Sequence, residues 1–240
     1  MADILLLGYG RMGKLIEEIA NKRGHTTIGR VSESNPLTQE MLTQADVAID
    51  FSLPSIAEEL VSRTLLANVP VASGTTGWSS DDLKIQVDQE LKTAFIHATN
   101  MSIGVNVVFA ANQLIAKLLG STNQYVASLT ETHHIHKVDA PSGTAVTLAE
   151  AILASMKGYT DWSLGKSFKR SSTNQLPIEA IRKGEVFGDH EVVFDSDVDR
   201  ITLSHHAKSR QGFALGAVLA AEFLIDKKGV FTMANVLGLD

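Results

Sequence analysis

Hydrophobic residues in the first hundred positions alternate between short continuous runs and runs with helical spacing. Residues 4–7 form one apolar run, and apolar side chains then recur at helical intervals from Leu15 to Ala20. A continuous run is typical of a strand buried on both faces, and the second pattern is typical of an amphipathic helix. The alternation predicts an α/β domain with a parallel, doubly wound, Rossmann-type sheet. Further strands are predicted at 26–31, 46–51, 69–72 and 93–98, and a helix at 55–67 with Ser55 as its candidate N-cap.

The pattern changes near Gly104, where we expect a second domain. A predicted helix at 103–119 carries apolar residues on several faces, which indicates that it is largely buried. The elements that follow predict an α+β domain, and an apolar helix and a short tail then pack back on the first domain. These elements are a β-like run at 125–129, a helix at 142–156, a polar loop at 157–174, antiparallel strands at 177–183, 191–195 and 200–206 with a hairpin at 195–199, a helix at 212–225 and a tail at 229–240.

Composition narrows the class of protein. The chain of 240 residues has a net charge of −6 and no cysteine. A negative chain has no general attraction to nucleic acid or to an anionic membrane surface, and without cysteine there are no disulfides, thiolate metal sites or cysteine nucleophiles. The first apolar run is too short for a signal peptide, and no stretch approaches about 20 consecutive apolar residues. We therefore expect a cytoplasmic enzyme.

A glycine motif separates the first predicted strand from the first predicted helix. Gly8, Gly10 and Gly13 have the G-x-G-x-x-G spacing of dinucleotide-binding proteins. In that motif the glycines allow a tight turn, close approach of the main chain to a pyrophosphate, and close packing of helix on strand. A plain glycine turn is the alternative. The predicted cofactor-binding residues of this loop are Gly8, Tyr9, Gly10, Arg11, Met12 and Gly13.

Two charged residues near the end of the second predicted strand bear on the choice between NADH and NADPH. Glu33 lies 20 residues after Gly13, about where an acid that binds the ribose is expected. Arg30 can instead meet a 2′-phosphate. Both side chains can also be solvated loop charges, so the preference stays open between the two cofactors.

Two later loops lie after strand ends, where cofactors bind in parallel sheets. They are residues 73–77 and 98–102, both rich in small polar residues. Such loops are commonly only turns, which is the alternative interpretation. The predicted cofactor-binding residues in them are Gly74, Thr75, Thr76, Ala98, Thr99, Asn100 and Met101.

The stretch from Glu131 to Ala145 concentrates the groups that can carry chemistry. It holds three histidines and Lys137 after an apolar run, and then a Pro-Ser-Gly-Thr turn that opens a helix. Histidine can give or take a proton near neutrality, and a helix start offers free N–H groups and a favourable dipole to an anion. Ser142 is the candidate cap of that helix. The stretch therefore predicts a cradle for an anionic substrate with a proton donor beside it.

The histidine run also raises a metal hypothesis, which we do not favour. Along a strand His134 and His136 share one face while His133 points to the other, so three ligands would not converge without a bend. We therefore predict no metal site. A second alternative is that histidines are hydrogen-bonded packing residues, and we prefer it for five of them: His97, His136, His190, His205 and His206.

The segment HHIHKVDAPSGTA closely resembles the signature of the 4-hydroxy-tetrahydrodipicolinate reductase (dihydrodipicolinate reductase) family. The loops at 73–77 and 98–102 are similar to the nicotinamide-side loops of that family. Three positions depart from the common family pattern: the glycine loop is compact, Ile135 replaces a frequent arginine, and Met101 replaces a frequent aromatic residue. The matching positions extend from Gly8 to Arg210 and so cover most of the chain.

The resemblance implies NAD(P)H-dependent reduction of the dehydrated form of 4-hydroxy-tetrahydrodipicolinate to tetrahydrodipicolinate, a step of lysine and diaminopimelate biosynthesis. It implies that His133 is the proton donor, and that His134 and Lys137 contact the dicarboxylate substrate while Lys137 also assists protonation. It further implies that Gly143 and Thr144 bind a carboxylate and that Arg210 lies near the active site.

The resemblance also implies a domain organisation. Residues 1–103 with 211–240 would form a discontinuous dinucleotide-binding domain, and residues 104–210 an inserted substrate-binding and oligomerisation domain. The family is typically homotetrameric. Because cofactor and substrate would lie on different domains, we expect closure about hinges near residues 103 and 211.

Two alternative functions are compatible with parts of this pattern. Another two-domain nicotinamide dehydrogenase, of the aspartate or homoserine dehydrogenase type, would explain the glycine loop but not residues 133–145. A non-catalytic dinucleotide sensor would bind cofactor without turnover, and it would not require both His133 and Lys137.

Overall fold

A computed structural model of the chain describes residues 1–165 and 174–239. Its contacts divide the chain into two compact units, each with its own core. The first unit comprises Met1–Ile103 and Gln211–Asp240, and the second comprises Gly104–Arg210.

Eleven strands and eight helices are present in the described residues. The strands are β1 (Asp3–Leu7), β2 (Thr26–Val31), β3 (Val47–Asp50), β4 (Val71–Ser73), β5 (Ala94–His97), β6 (Val126–His133), β7 (Asp161–Leu164), β8 (Gln175–Arg182), β9 (Asp189–Asp195), β10 (Arg200–His206) and β11 (Gly229–Phe231). The helices are α1 (Arg11–Lys22), α2 (Gln39–Gln44), α3 (Pro54–Leu66), α4 (Asp81–Gln89), α5 (Ile103–Gly120), α6 (Gly143–Ser155), α7 (Gln211–Leu224) and α8 (Met233–Leu237).

The first unit is built on a six-stranded parallel sheet in the order β11-β5-β4-β3-β1-β2. Alternate side chains of β1 enter two different cores, as the pleat of a strand requires. Ile4 and Leu6 pack in one core with residues of α1 and α7. Leu5 and Leu7 pack in the other core with residues of α3 and α4. Helices cover both faces, so the predicted doubly wound sheet is confirmed.

Close packing of α7 on the first unit depends on one glycine. A Cβ atom at Gly216 would lie 1.7 Å from the carbonyl oxygen of Met101. Every larger residue is therefore excluded unless the main chain shifts. This contact brings the returning chain segment against the loop that follows β5.

The second unit contains a five-stranded sheet in the order β10-β9-β6-β8-β7. One face packs against α5 and α6 through buried residues such as Leu129, Ile178 and Phe194. The other face carries alternating polar residues, among them Thr130, which pairs in register with Glu191. The α+β architecture predicted for this part of the chain is confirmed.

The prediction of successive antiparallel strands in this unit was wrong for β8. The strands β9 and β10 form the predicted hairpin, but β8 pairs in parallel with β6, and β9 pairs with the opposite edge of β6. Residues 183–188 must therefore cross the end of β6, a span of roughly 10 Å, or two strand spacings. Spacing along the chain does not reveal which strand edge is free, so the sequence pattern could not detect this crossover.

Several element boundaries also needed correction. Ser55 is not the N-cap of α3, because Leu53 holds that position and Pro54 occupies the first turn, where its missing N–H costs nothing. The short helix α2 was not predicted. The predicted polar loop contains β7, and its residues 166–173 lie outside the described part of the chain. The predicted tail contains β11, which extends the parallel sheet, and α8.

Helix α5 is less buried than its composition suggested. Val107, Leu114 and Leu118 are exposed, while Val108 and Ala116 pack in the core of the second unit. Among the described residues it is the one helix long and apolar enough to cross a membrane by length and composition, a test that core helices of soluble proteins also pass.

Candidate active site

In the first unit, the loops that follow four strands meet at one edge of the sheet. Near the start of each loop, one main-chain N–H group donates to the neighbouring strand and so extends the hydrogen-bond ladder of the parallel sheet. Gly8 N donates to Val31 O at 3.1 Å, Phe51 N to Leu7 O at 2.9 Å, Gly74 N to Asp50 O at 2.9 Å, and Ala98 N to Ser73 O at 3.0 Å. The chain reverses its winding direction between β1 and β3, and the crevice outside such a reversal is where ligands bind in open α/β sheets.

The three glycines of the first loop have three different surroundings. Gly8 has φ +96, and a Cβ atom there would lie 2.3 Å from Phe51 O. A Cβ atom on Gly13 would lie 2.4 Å from Gly8 O, so this glycine allows α1 to pack on the turn. Gly10, the N-cap of α1, has open space where its Cβ atom would be. This arrangement fits a dinucleotide, because Gly10 leaves the start of α1 accessible to a pyrophosphate.

The side chains beside this loop form a small charged cluster. Tyr9 OH and Arg30 both bind the carboxylate of Glu17, and the guanidinium of Arg30 lies 5.7 Å from the centre of the Tyr9 ring. Hydrogen bonding from Arg30 is the main reason why the pKa of Glu17 is lowered. Arg11 is exposed and Met12 packs against the core. Glu33 is exposed in the turn closed by the Ser32–Asn35 bridge.

The loop after β4 is held in place by hydrogen bonds to neighbouring residues. The buried hydroxyl of Thr75 accepts a hydrogen bond from Ser52 N at 2.9 Å, whereas Thr76 is exposed and Gly74 packs against the ring of Phe51. His97 holds the same loop, because Nε2 lies 2.8 Å from Thr75 O and Nδ1 lies 2.6 Å from the hydroxyl of Ser80. Burial lowers the pKa of His97. These contacts agree with its interpretation as a hydrogen-bonded packing residue.

The loop after β5 presents main-chain and polar groups. Asn100 Oδ1 accepts a hydrogen bond from Ser102 N at 2.9 Å, which tightens the turn, and Thr99 is exposed while Ala98 is half-buried. The side chain of Met101 is only 2% exposed and belongs to the core of the first unit. Only the main chain of Met101 is thus available to a ligand in this conformation.

In the second unit, the end of β6 carries a buried histidine–carboxylate pair. Glu131 is fully buried and His133 is 8% exposed, and the two residues lie on the same face of the strand. His133 Nδ1 lies 2.7 Å from Glu131 Oε2. The contact is at ion-pair distance but is not aligned as a hydrogen bond. The ring of His190 lies edge-on to that of His133, with ring centres 5.1 Å apart.

The other oxygen of Glu131 is held by two donors. Ser142 N donates to Oε1 at 3.2 Å, and Arg182 Nη2 donates to the same oxygen at 3.0 Å. Burial alone would raise the pKa of this carboxyl group, but the contacts with His133, Ser142 and Arg182 outweigh it and lower the pKa to about 2. Glu131 is therefore anionic throughout the physiological range.

The segment after β6 carries the lysine. Lys137 Nζ lies 2.8 Å from both carboxylate oxygens of Asp139. Main-chain bonds from Lys183 N to His133 O, at 2.8 Å, and from Ile135 N to Gly184 O, at 3.1 Å, fix the base of this segment. A substrate carboxylate at Lys137 would compete with Asp139 for the ammonium group.

Helix α6 starts next to these groups. Ser142 Oγ accepts a hydrogen bond from Ala145 N at 3.2 Å and so caps the helix, as predicted. Gly143 and Thr144 form its first two positions, where N–H groups are not used within the helix. The predicted carboxylate-binding pair therefore lies at a helix N-terminus, which favours an anion.

The remaining predicted residues differ in surroundings. His134 is half-buried, and its pKa is lowered by burial first and by the nearby positive charge of Arg210 second. The Arg210 guanidinium lies 5.2 Å from the centre of the Phe187 ring. His136 has a side chain that is 69% exposed and lies 3.3 Å from Glu185, so its interpretation as a packing residue was wrong. His190, in contrast, is buried beside His133, and burial lowers its pKa to about 3.

Potential metal ligands do converge in this unit, although the histidine run itself does not. Glu131, His133 and His190 bring potential ligand atoms within 4.8 Å of one another. These partners of His133 come from the strand residue two positions earlier and from β9, whereas the sequence argument concerned only the three histidines of the run, so the absence of a metal site stays a prediction. Arg182 and Ser142 already occupy one carboxylate oxygen, which makes the cluster better suited to hydrogen bonding than to a cation.

Sequence reasoning overlooked two residues of this site. Glu131 could have been found, because on a strand it shares a face with His133 two positions later. Arg182 could not, since it pairs in register with His133 only through the unexpected parallel pairing of β6 with β8.

Comparisons with known proteins agree with this geometry. The family model described as "Dihydrodipicolinate reductase, N-terminus" matches residues 2–101, and "Dihydrodipicolinate reductase, C-terminus" matches residues 104–237. A 4-hydroxy-tetrahydrodipicolinate reductase from Christiangramia forsetii is 43% identical over 236 residues, which cover 98% of this chain and 97% of the relative.

Two solved structures share the fold. A dipicolinate-bound dihydrodipicolinate reductase from Paenisporosarcina sp. TG-14 has a TM-score of 0.75 at 22% identity, covering 97% of this chain and 98% of that one. A hyperthermophilic archaeal homoserine dehydrogenase in complex with NADPH has a TM-score of 0.52 at 12% identity, covering 92% of this chain and 98% of that one. At these identities both show a similar fold and nothing finer.

A parallel sheet with a glycine loop at its carboxyl edge, combined with the sequence matches, defines this chain as an NAD(P)H-dependent oxidoreductase. The chain belongs to the dihydrodipicolinate reductase family. Its activity is the nicotinamide-dependent reduction of the dehydrated form of 4-hydroxy-tetrahydrodipicolinate, in lysine and diaminopimelate biosynthesis. The homoserine dehydrogenase type, one of the alternatives, shares the fold but leaves residues 133–145 unexplained.

Gly10→Ala tests the glycine loop. Because the added methyl group meets no atom of the free protein, we expect a change in unfolding free energy within about 0.5 kcal/mol. We expect the Kd for the reduced dinucleotide to rise at least ~10-fold, since the methyl group occupies the space that the pyrophosphate approaches. Fluorescence titration and urea unfolding measure the two effects. Gly158→Ala, which also adds a methyl group in open space, is the control and should change neither.

The lowered pKa of Glu131 makes a prediction about acid stability. A carboxylate whose pKa falls from 4.5 to about 2 on folding stabilises the native state above pH 4.5, and this contribution is lost as the pH falls through about 2. The shift corresponds to roughly 3 kcal/mol. The difference in unfolding free energy between wild type and Glu131→Gln should therefore narrow between pH 4.5 and 2. A constant difference would contradict the ion-pair description, and Glu150→Gln, at an exposed position of α6, should follow wild type.

Proposed function

We propose that the first unit binds the reduced dinucleotide and the second unit binds the dicarboxylate substrate. The glycine loop and the loops after β4 and β5 support the first assignment. The second rests on the neighbourhood of His133, Lys137 and the start of α6. Because cofactor and substrate then lie on different units, we expect closure about hinges near residues 103 and 211 when both are bound.

The observation that carries the proposal is the set of cationic and proton-donating groups around the start of α6. When bound, the nicotinamide supplies a hydride to the conjugated carbon–carbon/imine system of the substrate. His133 donates a proton to the carbon that becomes basic, with assistance from Lys137. His134, Lys137, Arg210 and the N–H groups of Gly143 and Thr144 hold the two carboxylates through charge-assisted bonds of roughly 1.5–3 kcal/mol each.

Loss of reduced-nicotinamide absorbance on addition of freshly condensed pyruvate and aspartate semialdehyde tests this function. We expect turnover by the wild type and a severe loss in Lys137→Ala, because the ammonium group contacts the substrate. Cofactor binding without oxidation would support the non-catalytic sensor, and activity on other substrates alone would support another dehydrogenase.

Two variants separate proton donation from substrate binding. His133→Ala should lower kcat by ~100-fold or more, since a positioned general acid contributes about 10²–10⁴-fold. Thr144→Ala should mainly raise KM, because its contact is made in the ground state as well. Steady-state kinetics on both variants measure the effects, and the reverse pattern would contradict the role assignment.

We further propose that Arg30, and not Glu33, sets the cofactor preference, and that the preference is for NADPH. Arg30 lies against Tyr9 of the glycine loop, whereas Glu33 lies in an exposed turn. A 2′-phosphate would exchange with Glu17 as the partner of the guanidinium.

The ratio of kcat/KM for NADPH to that for NADH tests this preference. Arg30→Ala should lower the ratio ~10-fold. This change corresponds to the weak end of the range for charge-assisted hydrogen bonds, because the Arg30 side chain is exposed. Glu33→Ala serves as the comparison and should leave the ratio unchanged. A larger effect of Glu33→Ala would assign recognition of the ribose to that residue instead.

By family resemblance we also propose a cytoplasmic homotetramer. The polar face of the sheet in the second unit, with Thr130 and Glu191 along it, offers an extended surface to a second copy of the chain. Light scattering should give about four times the 25.8 kDa of one chain.

A further inference from the structure

The second unit contains an ion pair between a buried carboxylate and a partly exposed arginine that the reaction chemistry described above does not use. The side chain of Glu131 is fully buried, and Arg182 provides the cation at 3.0 Å. A buried charge is tolerated only when it is paired and hydrogen-bonded, so each contact of this pair constrains the groups around it. Besides each other, the two residues contact the candidate proton donor, the lysine segment and the start of α6.

The carboxylate of Glu131 faces the proton donor. Oε2 lies 2.7 Å from His133 Nδ1, and Oε1 accepts from Ser142 N at 3.2 Å. A carboxylate at Nδ1 keeps a proton on that atom and fixes the plane of the ring. Nε2 is then the ring nitrogen from which a proton can leave toward a substrate.

The guanidinium of Arg182 faces the lysine segment. Nε donates to Lys137 O at 3.2 Å, Nη2 donates to Asp139 O at 2.5 Å, and the same Nη2 reaches Glu131. A planar fork of donors can hold several acceptors in fixed directions, which an ammonium group cannot do. Arg182 thus ties the main chain on both sides of Val138 to the buried carboxylate.

We propose that the Glu131–Arg182 pair is the positioning element of the substrate-binding unit, in which Glu131 orients His133 for proton donation and Arg182 holds the segment that presents Lys137. The proposal rests on the proposed role of His133 as proton donor. Glu131 and Arg182 are positioning residues, since neither needs to touch the substrate.

The pair predicts two different kinetic defects. Glu131→Gln keeps the size of the side chain but removes its charge, so it should lower kcat ~10-fold or more while KM changes by less than about 3-fold. Arg182→Lys keeps the charge but removes the planar fork, so it should raise KM ~10-fold with a smaller effect on kcat. Glu150→Gln and Arg200→Lys make the same changes at exposed positions of this unit and should have neither effect.

A spectroscopic readout separates positioning from simple stability. ¹⁵N NMR of the His133 ring at alkaline pH should show the neutral ring protonated on Nδ1 in wild type, and a shift toward the Nε2-protonated form in Glu131→Gln. Thermal unfolding and dinucleotide binding to the first unit verify that each variant is folded. If kcat, KM and the tautomer are all unchanged in folded variants, the proposal is overturned.

The same experiments distinguish the positioning role from a failure of the proposed function and from a metal site. If wild type does not turn over the substrate while the NMR result holds, the proposed function fails and the positioning of His133 by Glu131 stands. If elemental analysis finds a stoichiometric metal in wild type that is lost in Glu131→Gln, the cluster of Glu131, His133 and His190 is a metal site, and the positioning proposal is overturned.

Discussion

A buried carboxylate has to be paired on each of its oxygens, and this requirement organises the second unit. Glu131 lies at the point where β6 leaves the core, and its two oxygens are held by a histidine ring, a main-chain N–H and a guanidinium. Through these contacts three segments are fixed together: the end of β6, the start of α6 and, about 50 residues further along the chain, the end of β8. The free energy that would be lost by leaving the carboxylate unpaired is of the order of several kcal/mol.

The first unit follows a different constraint, that of a parallel sheet. All its strands end at one edge, so the loops after them meet there whatever their sequences. The sequence has to supply glycine at two positions: Gly8, where the main chain turns sharply, and Gly13, where α1 packs on that turn. Polar side chains then hold the later loops. His97 forms a hydrogen bond with Thr75 O, and Asp50 accepts one from the hydroxyl of Ser73.

The two units thus prepare their sites in different ways. One site is made of main-chain groups at the edge of a sheet and is suited to a dinucleotide, whose two halves have the same chemical plan. The other is made of charged side chains that hold one another in place, and it is suited to a small dianion and to proton transfer. A reductase of this family needs both, because the hydride comes from a common cofactor while the protein supplies binding, orientation and electrostatics.

The sequence by itself determined the parallel sheet, the glycine loop, the cap at Ser142 and the identity of the histidine and lysine stretch, because all of these depend on neighbours within a few residues. It did not determine the partners of β8, the exposed face of α5 or the surroundings of His136, since these depend on which strand edges and helix faces meet in space. Glu131 lies two residues before His133, so strand periodicity alone could have identified it as a neighbour of that histidine. Arg182 was not, because only the parallel pairing of β6 with β8 brings its guanidinium to the carboxylate. The histidine and lysine side chains that can carry chemistry were thus identifiable from the sequence, whereas the contacts that orient them were decided by the tertiary structure.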